Sequence, residues 1–457
     1  MINPGIFREY DIRGIAETDL RNANVSLIGK GIGTYMRRKG LKNVIVGRDV
    51  RLSSPRIREE LIKAFLSTGL NVTDIGELPT PIFYFGIVHL KADGGTMITG
   101  SHNPIEFNGF KLNNGLNSIF GQEIQVIRQI IEKSDFEKGN GKVTTVDIVP
   151  AYLEMLKSKL NFKKKLKIVI DAGNGTASLI APKFFEDMGL EVVRLYCEPD
   201  GRFPNHLPDP TVPKYVVDLT KKVLEVNADA GIGYDGDSDR IGAIDNKGRQ
   251  IFADRLLALF SRDVLTRHPG GQIVFDVKCS QALPEYIQKH GGQPVMYKTG
   301  HSLLKAKMKE IHSPLAGEMS GHMFFADDYF GYDDAIYASG RLLQMLANSD
   351  QTLADFADEI PPFVSTPEIR VDTTDEAKFK IVDELVKYFK SKYEVIDIDG
   401  ARVLFGDGWG LVRASNTQPV LVLRFEARTE KQLEEIKAIF RNKLKEFPEV
   451  FLKDEDF

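Results

Sequence analysis

Three stretches of the 457-residue chain repeat one pattern, and that repetition limits the possible folds more than any other feature. Val44, Ile45 and Val46 form an apolar run before Gly47, Arg48 and Asp49. Helical spacing follows through Ile57, Leu61, Ile62 and Phe65 to Gly69, and a second extended run covers Asn71 to Ile75. The same order returns at Ile168 to Asp171, with a helix through Pro182, Phe185 and Met188, a stop at Gly189, and Val192 and Val193 beyond. It appears again at Ile273 to Asp276, followed by Leu283, Tyr286 and Ile287, then Gly291 and Gly292, then Val295 and Met296. Apolar strand, polar turn, helix, glycine stop and new strand is the sequence form of a parallel βαβ unit. Three copies predict three related α/β domains with mixed or parallel sheets. In such sheets ligands bind beyond the carboxyl ends of the strands, so chemistry is expected in the strand-to-helix turns.

From about Pro367 the pattern changes to a strand at Glu368 to Val371, a helix through Phe379, Val382, Leu385 and Phe389, several short strands, and a last helix from Glu430 to about Leu444. Gly406, Asp407 and Gly408 predict a hairpin turn between strands at Ala401 to Leu404 and Trp409 to Arg413. This reads as a smaller C-terminal α+β domain. The expected domain limits are 1–146, 147–250, 251–365 and 366–457.

Composition narrows the setting. An apolar fraction of 42% with 27% charged residues is that of an ordinary soluble globular chain. A net charge of -4 argues against nucleic acid as the main partner, so anions must be held by local clusters of Arg, Lys and His. Cys197 and Cys279 have neither disulfide-framework nor zinc spacing, which fits a reducing cytoplasm. Arg8, Glu9, Asp11 and Arg13 interrupt the apolar core a secretory signal needs, and no stretch reaches membrane-spanning length. The sequons at Asn24, Asn71 and Asn174 are therefore read as chance matches.

Two short segments carry the chemistry. Thr99, Gly100, Ser101, His102, Asn103 and Pro104 form a polar turn after the apolar Met97 and Ile98, offering a hydroxyl nucleophile beside an imidazole. Asp235, Gly236, Asp237, Ser238 and Asp239 place three carboxylates within five residues. Alternating carboxylates suit a hard cation such as Mg2+, which prefers oxygen ligands and shields phosphate charge. An EF-hand is excluded, because its sixth position would be Arg240 and its twelfth Asn246. Together the two segments suggest phosphoryl transfer through a seryl phosphate.

Other groups extend the site. Lys111, in a polar stretch with Asn108, Asn113 and Asn114, can support phosphate or assist a proton transfer. In the loop Gly317 to His322, Glu318 and Ser320 can grip neighbouring sugar hydroxyls, although Ser320 also suits a helix N-cap and His322 a structural role. Arg413, Ser415, Asn416 and Thr417 resemble a phosphate cradle, with a plain polar hairpin as the alternative. Lys278 and His301 lie beside the third repeat in what read as polar turns. Asp171 to Thr176 lacks the full dinucleotide fingerprint and reads as an ordinary strand-to-helix turn. His89, His206, His268, His290 and His312 show no metal-ligand pattern.

With these residues assembled, the chain resembles the α-D-phosphohexomutases, in particular the bacterial phosphomannomutase/phosphoglucomutase branch. The resemblance spans nearly the full length and rests on Phe7 to Gly14 (FREYDIRG), Thr99 to Pro104 (TGSHNP), Asp235 to Arg240 (DGDSDR), Gly317 to His322 (GEMSGH) and Arg413 to Thr417 (RASNT). It implies four domains around a central cleft, each contributing one motif loop. Ser101 would be the phosphoserine, and Asp235, Asp237 and Asp239 with a phosphoserine oxygen would bind Mg2+. Arg13, His102, Lys111, Arg240, Lys278 and His301 would surround the reacting phosphate and help proton transfer. Glu318 and Ser320 would recognise sugar hydroxyls with His322 nearby. Arg413, Ser415, Asn416 and Thr417 would hold the other phosphate, and Tyr10 would contribute to the cleft.

The reaction so implied passes a phosphoryl group from Ser101 to a hexose 1- or 6-phosphate. The resulting 1,6-bisphosphate, which also serves as activator, turns over and returns its other phosphate. Contacts must serve two opposite sugar orientations, so mannose and glucose are both plausible substrates. The rival readings are a phosphoglucosamine mutase, a metal-dependent sugar phosphatase with Asp235 as nucleophile, and a noncatalytic sugar-phosphate sensor. The expected assembly is a monomer or weak homo-oligomer.

Overall fold

In the computed structural model, which describes residues 2–416 and 418–453, every repeated unit closes into a pair of adjacent parallel strands. The first sheet contains β1 (Ile12–Ile15), β2 (Asn43–Arg48), β3 (Asn71–Glu77), β4 (Gly94–Ile98), β5 (Phe107–Asn114), β6 (Asn117–Ser118) and β7 (Val143–Thr145). Its order is β1-β5-β4-β2-β3-β7, with β6 paired to β5. Helices α1 (Asn22–Arg38), α2 (Ser54–Ser67), α3 (Thr80–His89) and α4 (Gln122–Glu132) accompany it. The second unit runs α5 (Val149–Lys159), β8 (Lys167–Asp171), α6 (Ala181–Asp187), β9 (Glu191–Leu195), α7 (Val217–Val226), β10 (Ala230–Tyr234), β11 (Ile241–Asp245) and β12 (Gln250–Ile251). Its sheet order is β12-β11-β10-β8-β9.

The third unit runs α8 (Ala253–Arg267), β13 (Gln272–Asp276), α9 (Ala282–Lys289), β14 (Gln293–Tyr297), α10 (His301–Glu310), β15 (Leu315–Gly317), β16 (Met323–Phe325), α11 (Ala335–Ala347) and α12 (Leu353–Asp358). Its sheet order is β14-β13-β15-β16. The fourth unit comprises β17 (Val364–Ser365), β18 (Ile369–Asp372), α13 (Lys378–Lys390), β19 (Glu394–Ile396), β20 (Ala401–Leu404), β21 (Gly408–Ala414), β22 (Val420–Ala427) and α14 (Glu430–Leu444), with an antiparallel sheet. The fold is therefore three α/β domains with mixed sheets and a separate α+β domain.

One expectation is corrected. The polar motif loops do not lie in strand-to-helix turns. They follow β4, β10 and β15, and each returns directly into an antiparallel strand, β5, β11 or β16. Each still lies beyond the carboxyl end of a parallel strand. Because the chain pairs with itself up to the turn, both ends of each loop are held by ladder hydrogen bonds. The strand-to-helix turns after β2, β8 and β13 lie alongside and supply support.

Core packing separates the fourth domain from the others. One apolar cluster joins Ile45 of the first sheet, Ile168 of the second and Ile273 of the third. Helix α3 sits in this shared core, and its residues Thr80 to Ile87 are all buried, which explains why it is apolar around its whole circumference. The fourth domain has its own core around Val371, Phe389, Leu423 and Phe440. It meets the third chiefly through the small group Val277, Trp409 and Leu411 and through Arg402, which donates to the carbonyls of Val277 (2.6 Å) and Cys279 (2.7 Å). Buried Arg424 adds contacts to Asp254 and to the Lys278 carbonyl, so this joint is smaller and more polar than the core the first three domains share.

Candidate active site

The loop after β4 is held in a conformation that its sequence would not adopt unaided. Ser101 sits at φ +48°, in the left-handed region that a serine rarely occupies. The surrounding structure imposes it. Arg51, only 1% exposed, donates to the carbonyls of Pro104 (2.7 Å), Phe107 (2.9 Å), Ser101 (2.8 Å) and Asn103 (2.6 Å). Asp49 accepts from the Gly100 amide at 3.0 Å and from Ser54 Oγ at 2.6 Å. Phe203 of the second domain covers the guanidinium, 5.1 Å from the ring centre. A four-carbonyl clamp on a buried cation has no substitute among uncharged side chains. Arg51→Met is expected to lower stability by about 3–5 kcal/mol, read as a fall in thermal midpoint, and to loosen the Ser101 loop.

The carboxylate loop closes directly onto this serine. Ser101 Oγ donates to Asp235 Oδ2 at 2.8 Å across 134 positions of sequence. A Cβ on Gly236 would run into the Ser101 carbonyl, so only glycine permits the approach. Asp235, Asp237 and Asp239 are fully buried. Two unit charges about 4 Å apart repel by about 4 kcal/mol at an effective dielectric near 20, so compensation is required. Lys111, on β5, supplies it by bridging Asp237, at 2.8 Å, and Asp239. Thr80, at the start of α3, adds its hydroxyl (2.7 Å) to Asp237 and its amide (2.9 Å) to the Asp237 carbonyl. Against burial, the Lys111 ammonium holds Asp237 below the usual carboxylate range, while burial and its two acidic neighbours push Asp235 up.

The donor set fits a cation. Asp237 Oδ1 and Asp239 Oδ1 are buried acceptors without a hydrogen-bond partner, and one ligand oxygen from each of the three aspartates lies within 4.8 Å of the others. Three hard oxygen ligands so grouped could hold a metal cation.

Around this pair of loops lie the cationic and imidazole side chains. Arg13, on β1, donates to Asn103 Oδ1 at 3.0 Å and pairs with Asp11. His102 Nδ1 lies 3.2 Å from Ser101 Oγ. Burial first, then the Arg240 and Arg13 charges, hold this imidazole well below its usual range, so it is neutral at pH 7. Arg240 Nε donates to His322 Nε2 at 3.0 Å. Lys278 reaches Glu368 of the fourth domain at 3.3 Å and Asp276 at 3.8 Å. His301 is not in a polar turn as the sequence suggested. It opens α10, because Gly300 at φ +135° turns the chain into the helix one residue earlier.

Glu318 and His322 are buried, and Ser320 Oγ is buried without a hydrogen-bond partner. No helix follows Ser320, so the N-cap alternative falls. In the fourth domain Arg413 Nε donates to Asp399 at 2.9 Å, and Ser415 Oγ accepts from the Gln418 amide at 3.1 Å. Asn416 donates to Tyr10 Oη at 2.7 Å, and Tyr10 in turn donates to the Thr299 carbonyl at 2.9 Å. Tyr10 thus ties the first, third and fourth domains together. Thr417 lies outside the described residues. The other described residues that the resemblance assigns to the site line one cleft of about 1100 Å³, except the three aspartates, which are fully buried and touch Ser101 and Lys111.

Several residues at the site carried no signal. Asp49 and Arg51 follow β2, and Thr80 opens α3, with no motif to mark them. Thr176, in the turn after β8, hydrogen-bonds Ser238 at 2.8 Å and the Gly236 carbonyl at 3.0 Å, so the apparent dinucleotide turn is a support for the carboxylate loop. Asp333, which belongs to no motif in the sequence, lies 3.0 Å from His322.

Known proteins are similar to this chain over nearly its whole length. Family models described as phosphoglucomutase/phosphomannomutase alpha/beta/alpha domains I, II and III match residues 4–138, 150–248 and 252–363, and the C-terminal domain of that family matches 368–443. The phosphomannomutase/phosphoglucomutase of Pseudomonas aeruginosa PAO1 is 47% identical over 441 residues, covering 96% of this chain and 95% of that one. A phosphoglucomutase of Neisseria meningitidis serogroup A is 42% identical over 441 residues, covering 95% and 96%. The crystal structure of a phosphoglucomutase/phosphomannomutase family protein from Burkholderia thailandensis superposes with a TM-score of 0.92 at 40% identity, covering 98% of each chain. Among the described residues no helix is long and apolar enough to cross a membrane.

Proposed function

Because the chain belongs to the phosphoglucomutase/phosphomannomutase family, we propose that it reversibly interconverts hexose 1-phosphates and 6-phosphates, of mannose, glucose or both, through phospho-Ser101 and a hexose 1,6-bisphosphate. The observation that carries this reading is the 2.8 Å approach of Ser101 Oγ to Asp235 inside a cleft lined by all four domains. The matched ranges support domain limits at 1–146, 147–250, 251–365 and 366–457.

Asp235, Asp237 and Asp239, with a phosphoserine oxygen, would hold Mg2+, which when bound supplies charge neutralisation at the transferring phosphoryl group. The remaining work belongs to side chains. As the P–Oγ bond of phospho-Ser101 breaks, a sugar hydroxyl oxygen bonds to phosphorus and its proton passes to a neighbouring base. Neutral His102 is placed to exchange a proton with Ser101 Oγ. Arg13, Lys111 and Arg240 balance the charge of the phosphoryl group in its loose transition state. Lys278 and His301 stand with these groups around the reacting phosphate, Glu318, Ser320 and His322 face the sugar, and Arg413, Ser415, Asn416 and Thr417 hold the phosphate that is not being transferred. Rotation of the fourth domain would exclude water, the competing acceptor.

Both oxygens of Asp235 are engaged: Oδ2 by Ser101, and Oδ1 by the amides of Asp239 and Arg240 at 3.1 Å each. That arrangement suits a ligand of the loop better than a phosphatase nucleophile. Coupled assays with glucose 1-phosphate, mannose 1-phosphate and glucosamine 1-phosphate, each with trace bisphosphate and Mg2+, decide the matter. Turnover of glucose or mannose 1-phosphate is expected. Glucosamine 1-phosphate as the preferred substrate would move the chain to that branch, and phosphate release or no turnover would favour the phosphatase or the sensor. We place the enzyme in the cytoplasm as a monomer or weak homo-oligomer, with sugar phosphates as its partners.

A further inference from the structure

Each of the three repeated units places a buried aspartate at the carboxyl end of its first parallel strand: Asp49 after β2, Asp171 in β8 and Asp276 in β13. In the first domain Asp49 reaches across to the loop after β4 and accepts from the Gly100 amide at 3.0 Å, one residue before Ser101. In the third domain Asp276 does the same to the loop after β15. Its Oδ1 accepts from the Met319 amide at 3.2 Å, one residue before Ser320. In the second domain Asp171 turns instead to the Gly173 amide of its own turn and to His206. Asp49 and Asp276 are thus equivalent, each tying the first strand of its unit to the tip of that unit's motif loop.

Asp276 gathers more than that one amide. Its Oδ2 accepts from the Thr299 hydroxyl at 3.2 Å and lies 3.8 Å from the Lys278 ammonium, and Cys279 Sγ donates to Oδ1 at 3.0 Å. Lys278, Thr299 and Met319 all line the cleft, whereas the fully buried Asp276 does not. Thr299 is itself a crossing point. Its amide donates at 3.1 Å to Asp399, the partner of Arg413, and its carbonyl accepts from Tyr10 at 2.9 Å. The sugar loop is also touched from outside: the Ile241 amide of the second domain donates to the Gly321 carbonyl at 3.1 Å, and Arg424 of the fourth reaches Met319 Sδ at 3.2 Å. Asp276 supplies the hold from the loop's own domain.

We infer that Asp276 is a positioning residue that keeps the sugar loop, Lys278 and the turn at 299–301 in fixed relation to one another, as Asp49 keeps the Ser101 loop. This deepens, and rests on, the mutase reading. Glu318 and Ser320 can meet sugar hydroxyls only while the tip of their loop keeps its place relative to Lys278 and His301, and a displacement of about 1 Å can cost about 100-fold in rate.

Two variants separate placement from charge. In Asp276→Asn the side-chain oxygen still accepts from Met319, and the side-chain nitrogen donates to the Thr299 hydroxyl, which can accept as well as donate. Only the charge facing Lys278 is lost. Asp276→Ala removes every contact. The experiment is nitrogen-15 NMR of methionine-labelled protein, with the Met319 amide assigned by Met319→Leu, alongside steady-state kinetics on glucose 1-phosphate. Intact mass follows the loss of phosphate to water from phospho-Ser101 loaded with excess glucose 1,6-bisphosphate. In Asp276→Ala the Met319 resonance is expected to move and kcat/KM to fall about 100-fold, while phospho-Ser101 decays at the wild-type rate. Asp276→Asn is expected to keep the resonance in place and kcat/KM within about five-fold of the wild type.

Wild-type kinetics or an unmoved Met319 resonance in Asp276→Ala would overturn the inference. So would a changed phospho-Ser101 decay, which would make the effect global, or an Asp276→Asn as impaired as Asp276→Ala, which would leave only the charge on Lys278. Thr299→Val covers the case in which Asp276→Ala does not fold. It cuts one arm and is expected to lower kcat/KM about ten-fold with Met319 unmoved, and wild-type kinetics there would also overturn the inference. The resonance needs no substrate. A Met319 signal that moves as expected, in a protein that turns over no hexose phosphate even as wild type, would overturn the mutase reading and leave the Asp276 link standing.

Discussion

Ser101→Ala is expected to abolish turnover, lowering kcat on hexose 1-phosphates by about 10⁴-fold or more, while the protein stays folded. A phosphoryl-transfer site does its work by placement and charge, and both are organised here around one oxygen atom. Removing that atom leaves the cleft, the cationic side chains and the carboxylate loop in place, but no acceptor on the protein for the returning phosphate. Alanine adopts the same left-handed backbone at no greater cost than serine, because the strain at φ +48° is imposed by the Arg51 clamp and not by the side chain. The direct structural loss is two hydrogen-bond contacts of Oγ, to Asp235 and to His102 Nδ1, together worth about 1–3 kcal/mol. Three measurements separate this from unfolding. The thermal midpoint should shift by only a few degrees, a sugar phosphate should bind within a few-fold of the wild type, and intact mass after incubation with bisphosphate should show no phosphate on the variant and one on the parent. Activity close to that of the parent would end the phosphoserine mechanism.

Removing divalent cations should have a comparable effect on activity and a small one on the fold. Chelation is expected to reduce turnover about 10³-fold or more, with full recovery on adding Mg2+, because several kcal/mol of transition-state charge stabilisation depend on the ion. Asp239→Asn should show a similar loss that Mg2+ does not restore. The fold is expected to survive chelation because the buried carboxylates have internal support: Lys111 bridges Asp237 and Asp239, and Thr80 donates to Asp237. Mg2+ should still raise the thermal midpoint, in proportion to the logarithm of its concentration above the dissociation constant. The contrasting variant is Lys111→Met, which leaves the three aspartates without their buried cation and should melt lower than the parent when chelator is present. Unchanged turnover in chelator would remove the metal from the reaction.

The two predictions concern residues that could be found by reading along the chain, and the reason is local chemistry. A hydroxyl beside an imidazole in a Gly and Asn-Pro turn, or three carboxylates within five residues, is conspicuous wherever it occurs. The supports of those groups are not. Arg51 and Asp49 follow a strand, as charged residues often do, and only the folded chain brings four carbonyls around the guanidinium. Thr80 looks like any helix start before Pro81. Asp333 stands next to Asp334, which caps α11 through the Tyr337 amide, and nothing in their order distinguishes the capping residue from the one that lies beside His322. A lone histidine after glycine carries no helical period, so from sequence His301 reads as a turn residue.

By itself the sequence determined the layered α/β architecture, because alternating strand and helix periods leave an apolar face that can be buried in only a few ways. It also determined which loops carry the reactive groups, since those groups occur as clusters of neighbours. Tertiary structure alone decided that the loops lie after strands that turn back on themselves, that Gly236 lets the carboxylate loop touch Ser101, and that Asp333 lies beside His322. It also decided that the fourth domain shares only the small core of Val277, Trp409 and Leu411 with the third. The physical reason is the range of the interactions. Periodicity, turns and ligand spacing are set by covalent neighbours, whereas hydrogen bonds and ion pairs between residues more than a hundred positions apart exist only once packing has brought them within about 3 Å.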